Sequence, residues 1–190
     1  MINVEIWASG GGSNADVIAN YFHNHPEITI RSIGCNRKEA GVFRVAKKHN
    51  IDSFYFSNTF WNPNSILKHL EEYDIHFIVL AGFLKLVPYQ VTQQFEGKII
   101  NIHPSLLPLY GGKNMYGDYV HNAVLNNQEN YSGITIHEAN EEFDKGKIIA
   151  QYTVVLDSKD DLWSLKSKIQ RLEHTHYAST IHRWIESRVQ

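Results

Sequence analysis

The segment Lys98–Pro108 carries two polar side chains, Asn101 and His103, which alternate with isoleucines at the end of an apolar run. Successive side chains of a strand point to opposite faces, so we expect these two to share one face. Pro104 then ends the strand, because proline has no N–H to give to a sheet. An amide and an imidazole would thus meet at the carboxyl end of a strand, where open α/β sheets bind ligands. The simpler interpretation is a core histidine beside a turn-forming asparagine.

A carboxylate that could join them is Asp144, in the turn sequence Asp144-Lys145-Gly146. Aspartate in such a position is usually a turn former, because its side chain bonds its own backbone. A catalytic interpretation requires that the predicted hairpin lies beside the strand that carries His103. In that case we expect Asp144 to raise the pKa of His103 and to favour the charged imidazole near neutral pH.

A glycine-rich loop, Gly10-Gly11-Gly12-Ser13-Asn14, separates the first apolar run from a helical pattern. Its backbone can approach a ligand closely, and the N–H groups of the following helical turn favour an anion, most simply a phosphate. The loop lacks the Gly-Lys-Ser/Thr of a Walker A sequence and the spaced glycines of a dinucleotide fingerprint. The alternative is a tight turn in which Ser13 or Asn14 caps the helix.

The elements that must position these residues alternate between strand and helix patterns through the first hundred residues. Such alternation predicts right-handed βαβ units. The expected fold class is α/β: a Rossmann-like, mostly parallel sheet with helices on both faces, a C-terminal antiparallel hairpin and a long last helix. The predicted strands are Ile2–Trp7, Ile28–Ile33, Ser53–Phe56, Phe77–Gly82, Lys98–His103, Gly133–His137 and Lys147–Val155, with helices over Glu39–His49, from Pro63, over Asp118–Asn126 and from about Asp160.

The whole chain has the composition of an ordinary globular protein, and its 190 residues predict one domain, 1–190. A net charge of −2 gives no basic field for nucleic acid, and no apolar run is long enough to span a membrane. Cys35 is the sole cysteine, so no internal disulfide can form. The N-terminus lacks the features of a signal peptide. We therefore expect a cytoplasmic protein without nucleic-acid or membrane partners.

Metal and covalent chemistry have little support in the sequence. There is no HExxH motif and no cysteine pair, and we expect most of the eleven histidines to lie at the surface. No GxSxG nucleophile motif is present either. The prediction is a site without a metal and without a covalent intermediate.

Four motifs together resemble the phosphoribosylglycinamide formyltransferases of the formyltetrahydrofolate-dependent formyltransferase family, and the resemblance spans roughly the whole chain. They are the glycine loop ending in Gly12-Ser13-Asn14, the run Leu80–Lys85, the run Asn101–Pro108, and Gly133–His137 with Asp144-Lys145-Gly146. The Asn-x-His-Pro run is typical of enzymes that use formyltetrahydrofolate. The glycine loop, in a chain of this length, indicates the members that act on glycinamide ribonucleotide.

The resemblance implies transfer of the formyl group of 10-formyltetrahydrofolate, a cosubstrate, to the amine of glycinamide ribonucleotide in purine biosynthesis. Residues 1–100 would form the phosphate-binding part, and 101–190 the catalytic and folate-binding part, of a monomer or homodimer. Asn101 and a protonated His103 would stabilise the oxyanion while Asp144 tunes His103. The implied binding residues are, for the ribonucleotide, Gly12, Ser13, Asn14 and Glu173, and, for the folate, Leu84, Lys85, Leu86, Val87, Asn101 and the backbone of Glu138–Asp144.

Three departures from the family pattern qualify this picture. Lys85 stands where relatives commonly carry arginine near the glutamate tail of the folate, and lysine lacks the bidentate fork of arginine. The segment Tyr110–His121 is longer than usual, and His121 is out of register with the family's histidine there, so it receives no role. The connection Ser57–Trp61 offers no basic residue for folate.

Alternatives remain open at this point. The closest is a formyltetrahydrofolate hydrolase with water as the acceptor, although such enzymes normally carry an N-terminal regulatory domain and this chain starts at its first strand. Formylation of a sugar nucleotide or of a charged tRNA would also require further domains. A different class is a non-catalytic phosphosugar-binding module, which would be indifferent to His103→Ala.

Overall fold

The computed structural model describes residues 1–189, and its centre is one seven-stranded sheet. The strand order is β3-β2-β1-β4-β5-β6-β7. The first five strands pair in parallel, whereas β6 pairs antiparallel with both β5 and β7. The strands are β1 Ile2–Ala8, β2 Ile28–Cys35, β3 Asp52–Tyr55, β4 Phe77–Leu80, β5 Ile99–His103, β6 Tyr131–Glu138 and β7 Ile148–Val155.

Six helices connect and cover the strands. They are α1 Ser13–Tyr21, α2 Val42–His49, α3 Pro63–Glu72, α4 Tyr89–Gln94, α5 Asp118–Asn126 and α6 Leu162–Val189. One apolar core joins the sheet to α1, α2, α5 and α6, and a second joins it to α3 and α4. Ile100 belongs to the first core and Ile99 to the second, so β5 is packed on both faces. The predicted fold class, with helices on both faces, is confirmed.

Helix α2 begins at Val42 rather than at the predicted Glu39. The Val42 N–H donates to the Gly10 carbonyl, and a β-carbon on Gly41 would lie 3.1 Å from Gly11. The residues before Val42 are therefore held against the glycine loop instead of winding into the helix. Helix α4 was not predicted, because its six residues are too few to show a helical period.

Two further expectations have clear outcomes. Cys35 is buried, as expected of a small core residue. The expectation for the histidines is wrong: only His23 and His76 are exposed, while His69, His103, His121 and His137 are buried.

Among residues 1–189, no helix is both long and apolar enough to cross a membrane.

Candidate active site

A cavity of about 720 Å³ lies at the carboxyl ends of the parallel strands. Its lining draws on β4, β5 and β6, on the connections after β2, β4, β5 and β6, and on α1, α5 and α6. Nine of the predicted site residues line it: Asn14, Leu84, Lys85, Leu86, Val87, Asn101, His103, Asp144 and Glu173. Gly12 and Ser13 are not part of this lining, although they lie directly before Asn14 at the start of α1.

The carboxyl end of β5 carries the two polar side chains as the alternation predicts. His103 is 4% exposed, and its Nε2 lies 2.8 Å from the Tyr110 carbonyl oxygen. A carbonyl only accepts, so Nε2 carries a proton and donates it to this bond. The other ring nitrogen, Nδ1, lies 3.4 Å from Asp144 Oδ2. The imidazole is therefore fixed on one side and faces a carboxylate on the other.

Asp144 reaches His103 because β6 pairs with β5, which brings the β6–β7 connection alongside. The Gly112 N–H donates to Asp144 Oδ2 at 2.8 Å. Burial raises the pKa of Asp144, but the imidazoles of His137 and His103 and the Gly112 N–H outweigh burial, and the net shift is downward. The carboxyl group is therefore ionised at neutral pH.

The pKa of His103 does not follow the prediction. Burial lowers this pKa, and the opposing effects of Asp144 and of the bond to Tyr110 are smaller, so the net shift is downward from 6.5. The expectation of a raised pKa took account of the carboxylate but not of desolvation. In the free protein His103 is therefore a neutral imidazole at neutral pH, not the charged donor that the resemblance implies.

Asn101 is held by a residue that the sequence reasoning did not select, His137. These two residues are register partners in the β5–β6 pair. His137 Nδ1 lies 2.7 Å from the Glu138 carbonyl oxygen, so Nδ1 is protonated. In the neutral ring the Nε2 lone pair accepts from Asn101 Nδ2 at 3.1 Å, and in the charged ring the Nε2 proton faces Asp144 Oδ1, 3.6 Å away. One N–H of the Asn101 amide remains free. The available signal was Thr135 and His137 alternating with isoleucines in β6, the pattern that identified Asn101 and His103.

The glycine loop and α6 meet at a second polar cluster. Asn14 Nδ2 donates to Glu173 Oε2 at 2.9 Å, and Asn14 Oδ1 is buried with no partner among the described residues. Burial raises the pKa of Glu173, and the bond from Asn14 opposes that shift only in part. Gly12 has a φ of 84°, and a β-carbon there would lie 2.8 Å from Val42, so only glycine fits.

The segment after β4 contributes Leu84, Lys85, Leu86 and Val87 to the cavity lining. Ser9 Oγ accepts from the Leu84 N–H at 2.9 Å, which fixes the start of the Leu84–Val87 run. Lys85 Nζ lies 3.2 Å from Asn58 Oδ1 and 5.2 Å from the centre of the Trp61 ring. The Ser57–Trp61 connection therefore supplies an amide and an indole to the Lys85 ammonium rather than a second basic side chain.

Among residues 1–189, no group of three or more His, Cys, Asp or Glu side chains is arranged to hold a metal ion. The cavity lining supplies amide, imidazole and carboxyl groups, together with the cations of Arg37, Lys85 and Lys113. Such a set can donate hydrogen bonds to a developing oxyanion and relay a proton.

Comparison with known proteins agrees with this geometry. The formyl transferase family model matches residues 2–181, so the chain belongs to that family. A curated relative from Arabidopsis thaliana, named phosphoribosylglycinamide formyltransferase, chloroplastic, is 34% identical over 97% of this chain, and this chain spans 65% of its length. The Bacillus subtilis relative of the name phosphoribosylglycinamide formyltransferase is 32% identical, with coverage of 93% of this chain and 91% of its own.

A solved structure with the same name, from Bacillus halodurans, is also similar. It superposes with a TM-score of 0.85 at 32% identity and covers 95% of this chain and 94% of its own. Family membership, fold and the shared name of these relatives thus agree with the resemblance read from the motifs.

Proposed function

We propose that this protein transfers the formyl group of 10-formyltetrahydrofolate to the amine of glycinamide ribonucleotide, a step of purine biosynthesis. The observation that carries the proposal is the convergence of Asn101, His103 and Asp144 in one cavity whose other wall presents Asn14 and Glu173. The relatives named phosphoribosylglycinamide formyltransferase support this choice of substrates.

The ribonucleotide occupies the side of the cavity at the start of α1. Backbone N–H groups of the Gly12–Asn14 segment and the positive end of α1 hold the phosphate. Glu173 and the unpartnered Asn14 Oδ1 are acceptors that suit the ribose hydroxyls. The glycinamide arm then extends towards His103.

The folate occupies the side lined by Leu84, Leu86 and Val87, together with the backbone of Glu138–Asp144. Lys85 is the cation on this side, and its ammonium attracts the carboxylates of the folate's glutamate tail. Because lysine is a point charge, it holds those carboxylates without the bidentate geometry of arginine.

The reaction begins when the amine of the arm attacks the formyl carbon and the carbonyl oxygen gains negative charge. The free N–H of Asn101 is the donor for that oxygen, and His137 holds the amide in place. A preorganised donor of this kind contributes roughly 3–4 kcal/mol to transition-state stabilisation.

The proton of the attacking amine goes to His103, which the lowered pKa leaves neutral and able to accept it. Nε2 is already protonated, so the proton arrives at Nδ1, where the ionised Asp144 stabilises the imidazolium. His103 then returns the proton to N10 of the folate as the carbon–N10 bond breaks. The products are tetrahydrofolate and the formylated amine, and no metal takes part.

The proposal also covers the partners, the compartment, the oligomeric state and the two parts of the chain. The partners are two small molecules, without nucleic acid or membrane, and the protein acts in the cytoplasm as a monomer or homodimer. Parts 1–100 and 101–190 both contribute to the cavity, through Asn14 and Lys85 from the first and through Glu173 and Asp144 from the second.

The test is turnover of 10-formyltetrahydrofolate by purified protein, with and without glycinamide ribonucleotide, followed by absorbance and by formate release. We expect turnover that requires the ribonucleotide and releases no formate. Formate release without the ribonucleotide would instead establish a hydrolase. Absence of turnover in folded protein that still binds the ribonucleotide would establish a binding module.

A further inference from the structure

His121 is the one buried histidine of the cavity that the proposed mechanism does not use. It lies on α5, lines the cavity and is 6% exposed. Its Nδ1 is buried and has no hydrogen-bond partner within residues 1–189. Proteins leave few buried polar atoms unpaired, because each one forfeits the hydrogen bond that it made with water. An unpaired imidazole nitrogen beside a substrate cavity indicates that the partner is the substrate.

The surroundings of His121 locate that partner. Its charged and titratable neighbours are Asp118 on α5 itself, Lys166 on α6 and His103 on β5. Lys166 Nζ lies 2.6 Å from Asp118 Oδ1, so these two charges pair with each other and leave the imidazole free. Lys166 and Glu173 are seven residues apart, which puts them on the same side of α6. His121 therefore lies on the side of the cavity where α5 packs against α6, near enough to His103 for their charges to interact.

The protonation state of His121 narrows what it can bind. Burial lowers the pKa of His121, Lys166 and His103 lower it further, and Asp118 opposes them only in part. The imidazole is neutral at neutral pH, so its unpaired nitrogen presents either an N–H or a lone pair, depending on the tautomer. A neutral amide complements either tautomer, because it offers both an N–H donor and a carbonyl acceptor.

We propose that His121 binds the amide of the glycinamide arm of the ribonucleotide through Nδ1 and aims the terminal amine at the formyl carbon near His103. This inference rests on the proposed function and adds a substrate-binding residue to it. It also gives α5 a direct role, since this helix would carry the contact.

The test compares His121→Leu with His121→Asn in steady-state kinetics. The asparagine side chain puts a polar atom where Nδ1 was, and leucine does not. We expect His121→Leu to raise the KM for the ribonucleotide about tenfold, the size of one lost hydrogen bond, with the KM for the folate unchanged. We expect His121→Asn to restore most of that loss. The control is His23→Leu, the same change at an exposed histidine outside the cavity.

A second measurement on wild-type protein does not depend on how the variants fold. Adding the ribonucleotide alone should shift the ¹⁵N resonance of His121 Nδ1. An unmoved resonance on saturation, or an unchanged KM in a folded His121→Leu variant, would overturn the inference while leaving the formyltransferase intact. Wild-type protein that neither binds nor formylates the ribonucleotide would overturn both.

Discussion

Two largely buried carboxyl groups contact imidazoles, Glu5 in the core and Asp144 in the cavity, and they differ in what surrounds them. In the core, Glu5 Oε2 lies 2.8 Å from His69 Nε2. The same carboxyl group also accepts from Trp7 Nε1 and Ser32 Oγ, and Glu5 is fully buried. In the cavity, Asp144 lies 3.4 Å from His103 Nδ1 and 3.6 Å from His137 Nε2, and it accepts one N–H, from Gly112.

The difference shows why a buried acid beside a histidine is by itself weak evidence for a catalytic site. Glu5 accepts from three side chains of β1, β2 and α3, and neither it nor His69 lines the cavity. Asp144 and His103 line the cavity, and His103 Nδ1 has no hydrogen bond of ordinary length. The first contact holds elements together, and the second has room for a proton and a substrate.

The largest expected effect is on kcat, and it should distinguish His103 from His69 when each is changed to glutamine. His103→Gln should lower kcat by about 10²–10⁴-fold, because glutamine cannot relay a proton. His69→Gln should leave kcat within about threefold of the wild type while weakening the fold. Turnover measured on both folded variants checks this comparison. A His103→Gln enzyme with a tenth or more of the wild-type kcat would contradict the role assigned to His103.

On stability the order should be the opposite of that on kcat: removing the core acid Glu5 should cost more than removing the cavity acid Asp144. Glu5→Ala should lower the free energy of unfolding by about 3–5 kcal/mol, because three buried donors lose their shared acceptor. Asp144→Ala should cost about 2 kcal/mol, since it removes one hydrogen bond to a charged acceptor. Urea unfolding of both variants measures the difference. Equal losses would mean that the cavity contact is as structural as the core contact.

The pH response of His103 tests the electrostatics of the cavity. Burial lowers the pKa of His103, and Asp144 partly offsets that shift, so Asp144→Asn should lower the pKa of His103 further. A buried neutral histidine stabilises the fold fully above its unfolded pKa near 6.5 and progressively less as the pH falls below it. Asp144→Asn should enlarge that loss.

Histidine NMR titrations of the wild type and of Asp144→Asn give the two values directly. The substrate's own titration does not enter, because no substrate is present. A pKa for His103 that rises in the variant would show that the carboxylate does not interact with His103 as described.

The smallest effect concerns one donor of the core contact. Ser32→Ala should cost about 1 kcal/mol, because Glu5 keeps two of its three partners. Ser53→Ala, an exposed serine on the neighbouring strand, is the control and should change the free energy of unfolding very little. If both serines have the same effect, the Ser32 hydroxyl adds nothing to the core contact.

Most of the fold follows from local patterns. The apolar run Phe77–Gly82 predicted a strand, and β4 forms there as the middle strand of the sheet, buried on both faces. The range of α5 also agrees with the prediction. The start of α2 could not be read locally, because it depends on contacts with a glycine loop some thirty residues earlier in the chain.

The site residues could be predicted where the alternation of side chains along a strand positions them at the carboxyl edge of the sheet, as for Asn101 and His103. The contact of Asp144 with His103 was conditional on the β5–β6 pairing, which the sequence could suggest but not prove. The direction in which the His103 pKa shifts could not be predicted, because it depends on how deeply His103 and Asp144 are buried. The Tyr110 carbonyl was equally out of reach, because main-chain groups leave no trace in residue types.

Tyr177 on α6 is a spectroscopic probe of the packing of this helix on the sheet. Its hydroxyl donates to the Leu80 carbonyl oxygen of β4 at 2.9 Å and lies 3.3 Å from the Ile100 carbonyl oxygen of β5, the two strands that lead into the cavity. Complete burial, with a smaller effect from Glu173, raises the pKa of Tyr177 well above 10. In an alkaline absorbance titration, this phenol should ionise only when α6 leaves the sheet. The ultraviolet absorbance of one tyrosinate thus reports whether the last helix is still seated on the strands that carry the chemistry.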